Sequence, residues 1–181
     1  MALTAAGVAG VSVATYAMTT FSVWFGHRFA HRPGGRLSRF HLLGHHAIYP
    51  DSDHCASDGS YRGGAGGTNS AFALLPWLLV QTALMLLILP WALGLLSFLE
   101  TVALLIAINY VHEQFHRTGS SYERFGWFSA ARRIHFAHHD EAVNFMVLDH
   151  SWDRVWKTYA PPPLPLPQSQ ARTSVRSASG S

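Results

Sequence analysis

Two long apolar stretches dominate the pattern of hydrophobic and polar positions along this 181-residue chain. Residues 3–25 carry no charge, and residues 71–110 carry a single charge, that of Glu100. About 20 apolar residues suffice to cross a bilayer, so the first stretch predicts one membrane helix and the second predicts two. A proline and a glycine within residues 89–94 favour a turn between the last two helices. The predicted fold is therefore all-α, an integral membrane bundle of about three transmembrane helices.

Charge supports this interpretation and gives it an orientation. Only 13% of the residues are charged, whereas a soluble domain has roughly 25%. The N-terminus and the turn have no lysine or arginine. In contrast, nine arginines follow the first and third predicted spans: Arg28, Arg32, Arg36, Arg39, Arg62, Arg117, Arg124, Arg132 and Arg133. Positively charged loops stay in the cytosol, so residues 26–70 and 111–181 are expected on the cytosolic face.

Histidine is the residue type that carries candidate chemistry. Ten of the twelve histidines form four tight groups just beyond the ends of the predicted spans: His27/His31, His41/His45/His46, His112/His116 and His135/His138/His139. Spacings of three or four residues place two imidazoles on one helix face, and neutral imidazole is a common metal ligand. The sequence thus predicts a histidine-rich helical cap on the cytosolic face that holds two metal ions, or one metal ion with further histidines behind its ligands.

Two features of the spans predict how the helices pack. Ala6, Gly10 and Ala14 recur every four residues, a spacing that favours close approach of two membrane helices. Glu100 is ionisable inside an apolar stretch, and we expect it to hydrogen-bond to the serine and threonine side chains of the first span.

The remaining polar residues are interpreted as structural. His54 and His150 lie outside the four groups and are expected at the surface or behind the ligands. Asp153 and Arg154 are expected to pair with each other. One membrane domain should cover residues 1–160, and the Pro/Ser/Arg-rich tail at 161–181 should be disordered because it has little to bury.

Several motifs in this order resemble those of the fatty acid hydroxylase and sterol desaturase superfamily. They are HRFAH at 27–31, FHLLGHHAIYP at 40–50, HEQFH at 112–116, HFAHH at 135–139, Asn144-Phe145, and WDRVWKTY at 152–159. The resemblance implies that the histidines of the four groups are metal ligands: His27, His31, His41, His45, His46, His112, His116, His135, His138 and His139. The second motif reads HxxxHH where HxxHH is usual in the family, which leaves the ligand open between His45 and His46.

The resemblance also implies an activity. Members of this superfamily are membrane enzymes with a histidine-bound dimetal centre, so the chain is expected to be an O2-dependent oxidoreductase with two iron ions, zinc being the alternative metal. The substrate would be a bilayer lipid, a fatty acyl chain or a sterol, with hydroxylation favoured over desaturation. No flavin, haem or iron-sulfur motif is present, so an external donor, cytochrome b5-like or a ferredoxin, is expected. No nucleic-acid partner is expected, and no catalytic residue apart from the ligands.

Two other functions compete with this one. Residues 112–116 form a literal HExxH, the zinc-protease helix in which Glu113 would act as general base. That interpretation uses two histidines and leaves the other groups without a role. A metal transporter, the non-enzymatic alternative, should place polar ligands in the middle of the membrane, where Glu100 is the one candidate.

Overall fold

The computed structural model describes residues 4–54, 56 and 67–161, and this part of the chain contains helices and no strands, which confirms the all-α prediction. The elements are α1 (Ala5–Ala30), α2 (Arg36–Ser38), a π-helix (Arg39–His46), α3 (Gly67–Ile88), α4 (Trp91–Phe115), a 3₁₀ turn (Ser121–Arg124), α5 (Gly126–Asp140) and α6 (Ser151–Val155). Arg62 and residues 162–181, to which the tail prediction applies, lie outside the described residues.

Two helices, α1 and α4, are long and apolar enough to cross a membrane. Helix α3 has a shorter described apolar stretch, Leu78–Ile88, so the third predicted span stays a prediction. Large apolar side chains cover the outside of all three helices, as Val13, Leu87 and Ile106 illustrate, each being at least 65% exposed. These helices therefore present apolar surfaces outward.

The predicted turn joins α3 to α4 at Leu89 and Pro90. The carbonyl of Pro90 accepts the first bonds of α4, from the backbone N–H of Leu93 and of Gly94. Gly94 lies inside α4, so the prediction that it belongs to the turn is wrong. Its role is close packing, because an added Cβ would lie 2.7 Å from Cδ2 of Leu86 and 3.3 Å from its Cα.

Hydroxyl groups, not small residues, join α1 to α4. Thr15 donates to Ser97 at 2.8 Å, and the hydroxyls of Thr19 and Thr101 are 3.3 Å apart. Ala6, Gly10 and Ala14 are exposed, so they do not form the contact between α1 and the other described helices of this chain. A hydroxyl mid-helix needs a partner when it faces a second helix, and this requirement sets the interface.

The prediction for Glu100 is confirmed, since Ser12 of α1 donates to its Oε1 at 2.6 Å. Both hydroxyl pairs advance in the same chain direction, so α1 and α4 are parallel. Their C-terminal ends, which carry histidines, consequently lie at the same end of the molecule. Helix α6 is tied to α1 there, because Trp152 Nε1 donates to the Thr20 hydroxyl at 3.0 Å.

Candidate metal centre

The histidines from four separate segments converge into two compact groups, each able to hold a metal ion. In each group the candidate ligand atoms all lie within 4.8 Å of one another. Group I consists of His27, His31, His41, His46 and His138, and group II consists of His45, His112, His116 and His135. Nine of the ten predicted residues are thereby brought together.

The π-helix explains how adjacent histidines serve different groups. In an α-helix, the side chain at i+5 points about 140° away from that at i, so His41 and His46 would diverge. A π turn closes its hydrogen bond at i+5 and is wider, so residues i+4 and i+5 lie on either side of residue i. His45 therefore enters group II, and His46 joins His41 in group I. His45 and His46, between which the sequence left the ligand open, therefore lie in different groups.

The nitrogen atoms of group I are too close together to be explained by hydrogen bonds alone. His41 Nε2 lies 2.9 Å from His27 Nε2, 3.0 Å from His31 Nε2 and 3.1 Å from His46 Nε2. One ring nitrogen carries at most one proton and cannot satisfy three neighbours. Nitrogens each about 2.1 Å from one ion are about 3.0 Å apart at a right angle and about 3.4 Å at the tetrahedral angle. The observed spacing is compatible with one cation held between these nitrogens.

Backbone carbonyls orient two imidazole rings of group I. His27 Nδ1 donates to the carbonyl of Phe145 and His138 Nδ1 donates to that of Val143, each at 2.6 Å. A carbonyl can only accept, so each Nδ1 carries the proton and each Nε2 presents a lone pair to the group. Metal-bound histidines in proteins are held in this way.

Asn144 and Asp153 shape the loop that supplies these carbonyls. Asn144 has a positive φ of 53°, a region that asparagine tolerates better than most residues, and its side chain bonds the backbone of Ala160 in both directions at 2.9 Å. Asp153 is fully buried and accepts the N–H groups of Phe145 at 2.9 Å and Met146 at 3.0 Å. The loop is therefore held from two sides.

The supporting role of Asp153 was missed in the sequence interpretation, which paired it with Arg154. That pairing is wrong, because Arg154 instead lies over the ring of Tyr159, 3.9 Å from its centroid. Burial alone would raise the pKa of Asp153, but hydrogen bonds from His150, Thr158 and the loop N–H groups hold it below its usual value. The negative charge persists, and it attracts the N–H groups of the loop. The WDR sequence is the one signal that pointed to this residue.

Group II is assembled by the end of α4 and by α5. His116 Nε2 and His135 Nε2 are 2.9 Å apart, and the ring centroids of His45 and His112 are 4.7 Å apart. Tyr49, which is 1% exposed, stacks on His116 with centroids 4.2 Å apart. The group is thus enclosed by aromatic rings.

Arg132 fastens α5 to the end of α4. Its Nε donates to the carbonyl of Phe115 at 2.7 Å and its Nη2 to the carbonyl of Arg117 at 3.1 Å. Carbonyls at a helix C-terminus have no partner within the helix, and a cation there is favourable. This contact holds His135 opposite His116.

His139 is the predicted ligand that belongs to neither group among the described residues. Its Nδ1 donates to the carbonyl of Tyr49 at 2.5 Å, and its ring stacks on His46 with centroids 4.3 Å apart. Its Nε2 lies 3.2 Å from His135 Nε2. The hydrogen bond to Tyr49 therefore holds the His139 ring between the two groups, with its Nε2 directed toward His135 of group II.

Burial keeps the imidazoles neutral. Burial, with a smaller contribution from the neighbouring His27, lowers the pKa of His31 to about 3, and burial with neighbouring imidazoles lowers that of His46 to about 2. Burial lowers the pKa of the most enclosed rings well below 6.5: His41, His45, His135 and His138. Neutral imidazole is the form that binds a metal.

The other two histidines lie away from both groups, as predicted. His54 is exposed and bonds Asp51 at 2.7 Å. His150 contacts Asp153 at 3.2 Å and so supports the loop from behind.

No protein-family model, curated protein or solved structure matches this chain.

Proposed function

We propose that this protein is a membrane-bound diiron oxygenase of the fatty acid hydroxylase and sterol desaturase type, which hydroxylates a bilayer lipid. The observation that carries the proposal is the pair of adjacent, all-histidine groups, with five ring nitrogens in group I. Structural zinc sites are almost always four-coordinate, so five imidazoles in group I favour iron over zinc there.

Two nitrogen-bound iron ions with open positions can activate dioxygen for attack on an unactivated C–H bond. The chain's own residues hold the ions, keep their ligands neutral and exclude water. Phe145 is 3% exposed and its ring lies 5.4 Å from that of His31 and 5.6 Å from that of His138. Phe115 is fully buried beside His135, with ring centroids 5.5 Å apart. Each group thus has an apolar wall.

The proposed membrane placement puts both groups just inside the cytosolic interface. Helices α1, α3 and α4 would cross the bilayer, with the arginine-rich segments on the inner side. Histidines at the ends of α1 and α4 would then lie where an acyl chain or sterol ring can enter sideways while its head group stays at the surface. An external donor, cytochrome b5-like or a ferredoxin, would supply electrons at that face.

The protease alternative is less well supported. A general base must reach the metal-bound water, but Glu113 points to the helix surface, where it lies 3.8 Å from Arg117 and its side chain is 38% exposed. The transporter alternative has equally little support, because Glu100 accepts a hydrogen bond from Ser12 and belongs to neither histidine group.

Metal analysis of anaerobically purified protein, combined with mass spectrometry of lipids from cells expressing it, tests the proposal. We expect two irons per chain, one for each group, and a lipid species that has gained one oxygen atom. His138→Ala should lose the product and part of the iron while still entering the membrane fraction. His54→Ala, which removes an exposed histidine outside both groups, is the matched control.

Three results would contradict the proposal. They are one zinc per chain without an oxidised lipid, normal lipid oxidation by the His138→Ala variant, and peptide cleavage that is lost on Glu113→Gln.

A further inference from the structure

An open groove runs along α1 on the side away from the histidine groups. Its cavity volume is about 170 Å³. Three phenylalanines spaced four residues apart line one wall: Phe21, Phe25 and Phe29. Successive ring centroids along this wall are 6.1 and 6.3 Å apart. The wall is continuous over two helical turns, which is about 11 Å of apolar surface.

Two tryptophans form the opposite wall. Trp24 and Trp156 stack with centroids 5.5 Å apart and an interplanar angle of 16°. Trp24 is held in place because its Nε1 donates to Asp153 at 3.2 Å. Trp156 and Phe25 remain about half exposed, so the groove opens outward.

Two arginines lie at the cytosolic end of this groove. Arg28 lies 5.2 Å from the Trp24 ring centroid, and Arg32 lies 5.5 Å from that of Phe29. Within the described residues, neither guanidinium forms an ion pair with a carboxylate. A guanidinium that lies over a ring still presents its N–H edge, which suits bidentate contact with a phosphate.

We propose that this aromatic groove binds one anionic phospholipid of the inner leaflet, with its phosphate between Arg28 and Arg32 and an acyl chain along the phenylalanine wall. The occupant follows from charge and shape: a cationic end, an apolar length and a position at the end of a predicted span. A neutral lipid would leave both guanidiniums without an anion, and a free phosphate would leave the aromatic wall exposed. The proposal uses the membrane placement of the previous section but not the catalytic activity.

Native mass spectrometry of protein extracted from phosphatidylcholine vesicles, with and without phosphatidylglycerol, tests this site. We expect one phosphatidylglycerol to be retained per protomer, in preference to phosphatidylcholine. The double variant Arg28→Gln/Arg32→Gln should bind phosphatidylglycerol at least about tenfold more weakly, because it loses the charge-assisted hydrogen bonds to the phosphate. Phe25→Ala should weaken retention by a smaller factor.

Arg124→Gln is the matched control. Arg124 is also exposed and lies over a phenylalanine ring, 4.8 Å from the centroid of Phe125, but it does not line the groove. This variant should retain the lipid as the unaltered protein does.

Four results would overturn the site. Equal loss in Arg124→Gln would mean general surface attraction, and no preference for phosphatidylglycerol would mean no anion site. Inorganic phosphate that competes as well as the lipid would mean that the aromatic wall contributes nothing. A dimer that dissociates on Phe25→Ala would mean that a second copy covers the groove.

Iron content and lipid oxidation are measured on the same preparations. Oxidation without phosphatidylglycerol retention would refute the groove alone, and retention without oxidation would refute the enzymatic proposal alone.

Discussion

Group I and group II contain similar ligands but are held in place by different means. In group I, two rings are oriented by carbonyls of Val143 and Phe145, which belong to a non-helical loop. In group II, His112, His116 and His135 come from two helices that Arg132 fastens together. The first group depends on a loop shaped by buried polar side chains, and the second depends on helix packing.

This difference predicts that separate substitutions affect the two groups to different extents. A change in the loop should disturb group I while α4 and α5 stay in place. A change at Arg132 should disturb group II more than group I, because α4 and α5 supply three histidines of group II and only His138 of group I. The π-helix supplies both groups, through His46 and His45, and α5 also supplies both, through His138 and His135.

Removing one ligand from the π-helix should have the largest effect. We expect His46→Ala to lower the metal content at group I and His45→Ala to lower it at group II, because each ring lies in a different group. Loss of a supporting residue typically weakens a site about 10- to 100-fold, so loss of a ligand should exceed that and abolish lipid oxidation. Metal-to-protein ratios and product analysis measure both effects, and loss of both ions in each variant would remove the distinction between the groups.

Asp153→Asn should weaken metal binding at group I by about 10- to 100-fold. Phe145 and Met146 donate to different oxygens of Asp153, and in asparagine one of these oxygens becomes an NH2 group that cannot accept. One loop N–H then loses its acceptor, and the carbonyl that orients His27 shifts. Metal titration followed by spectroscopy measures each affinity. Arg132→Gln is the counterpart and should weaken group II more than group I, which takes only His138 from α5. Equal losses at both groups in either variant would contradict separate support.

Acidification should destabilise the metal-free protein. The lowered pKa of His41, His45, His135 and His138 means that the unfolded chain binds protons more readily than the folded one. Well above pH 6.5 these histidines do not lower the free energy of unfolding. Below that pH the free energy of unfolding falls by about 1.4 kcal/mol for each such histidine and each pH unit.

Thermal unfolding in detergent at pH 7.5 and at pH 5.5 measures this effect, with the lower unfolding temperature expected at pH 5.5. Bound metal should also be released more readily at the lower pH, because protons compete for the ring nitrogens. A stability that is unchanged or higher at pH 5.5 would mean that the rings are not buried as neutral groups.

Breaking the hydroxyl pairs between α1 and α4 should have the smallest effect of these changes. Thr15→Val leaves the Ser97 hydroxyl without its 2.8 Å donor and should cost about 1 kcal/mol of stability or less, as for other interhelical hydrogen bonds in membranes. The double variant Thr15→Val/Ser97→Ala should recover part of that loss. A double-mutant cycle measures the coupling between Thr15 and Ser97. Altered metal content in these variants would show that the hydroxyl pairs between α1 and α4 also position the histidine groups.

The amino-acid sequence by itself determined the helical class, the break at Pro90 and the segments that carry histidine. These features are local: apolar runs and proline act within a few residues, and an i, i+4 spacing defines a helix face without any partner. The hydrogen bond of Glu100 to α1 was predictable for a similar reason, since an ionisable group in an apolar stretch must find a polar partner nearby.

Only the tertiary structure decided which histidines share a group, because that depends on residues far apart in sequence and on the wider turn of the π-helix. It also decided that Asp153 serves the 143–146 loop instead of Arg154, and that hydroxyls instead of small residues join α1 to α4. Partner choice among buried polar groups is set by which atoms meet after packing. Spacing along one chain segment carries no information about that.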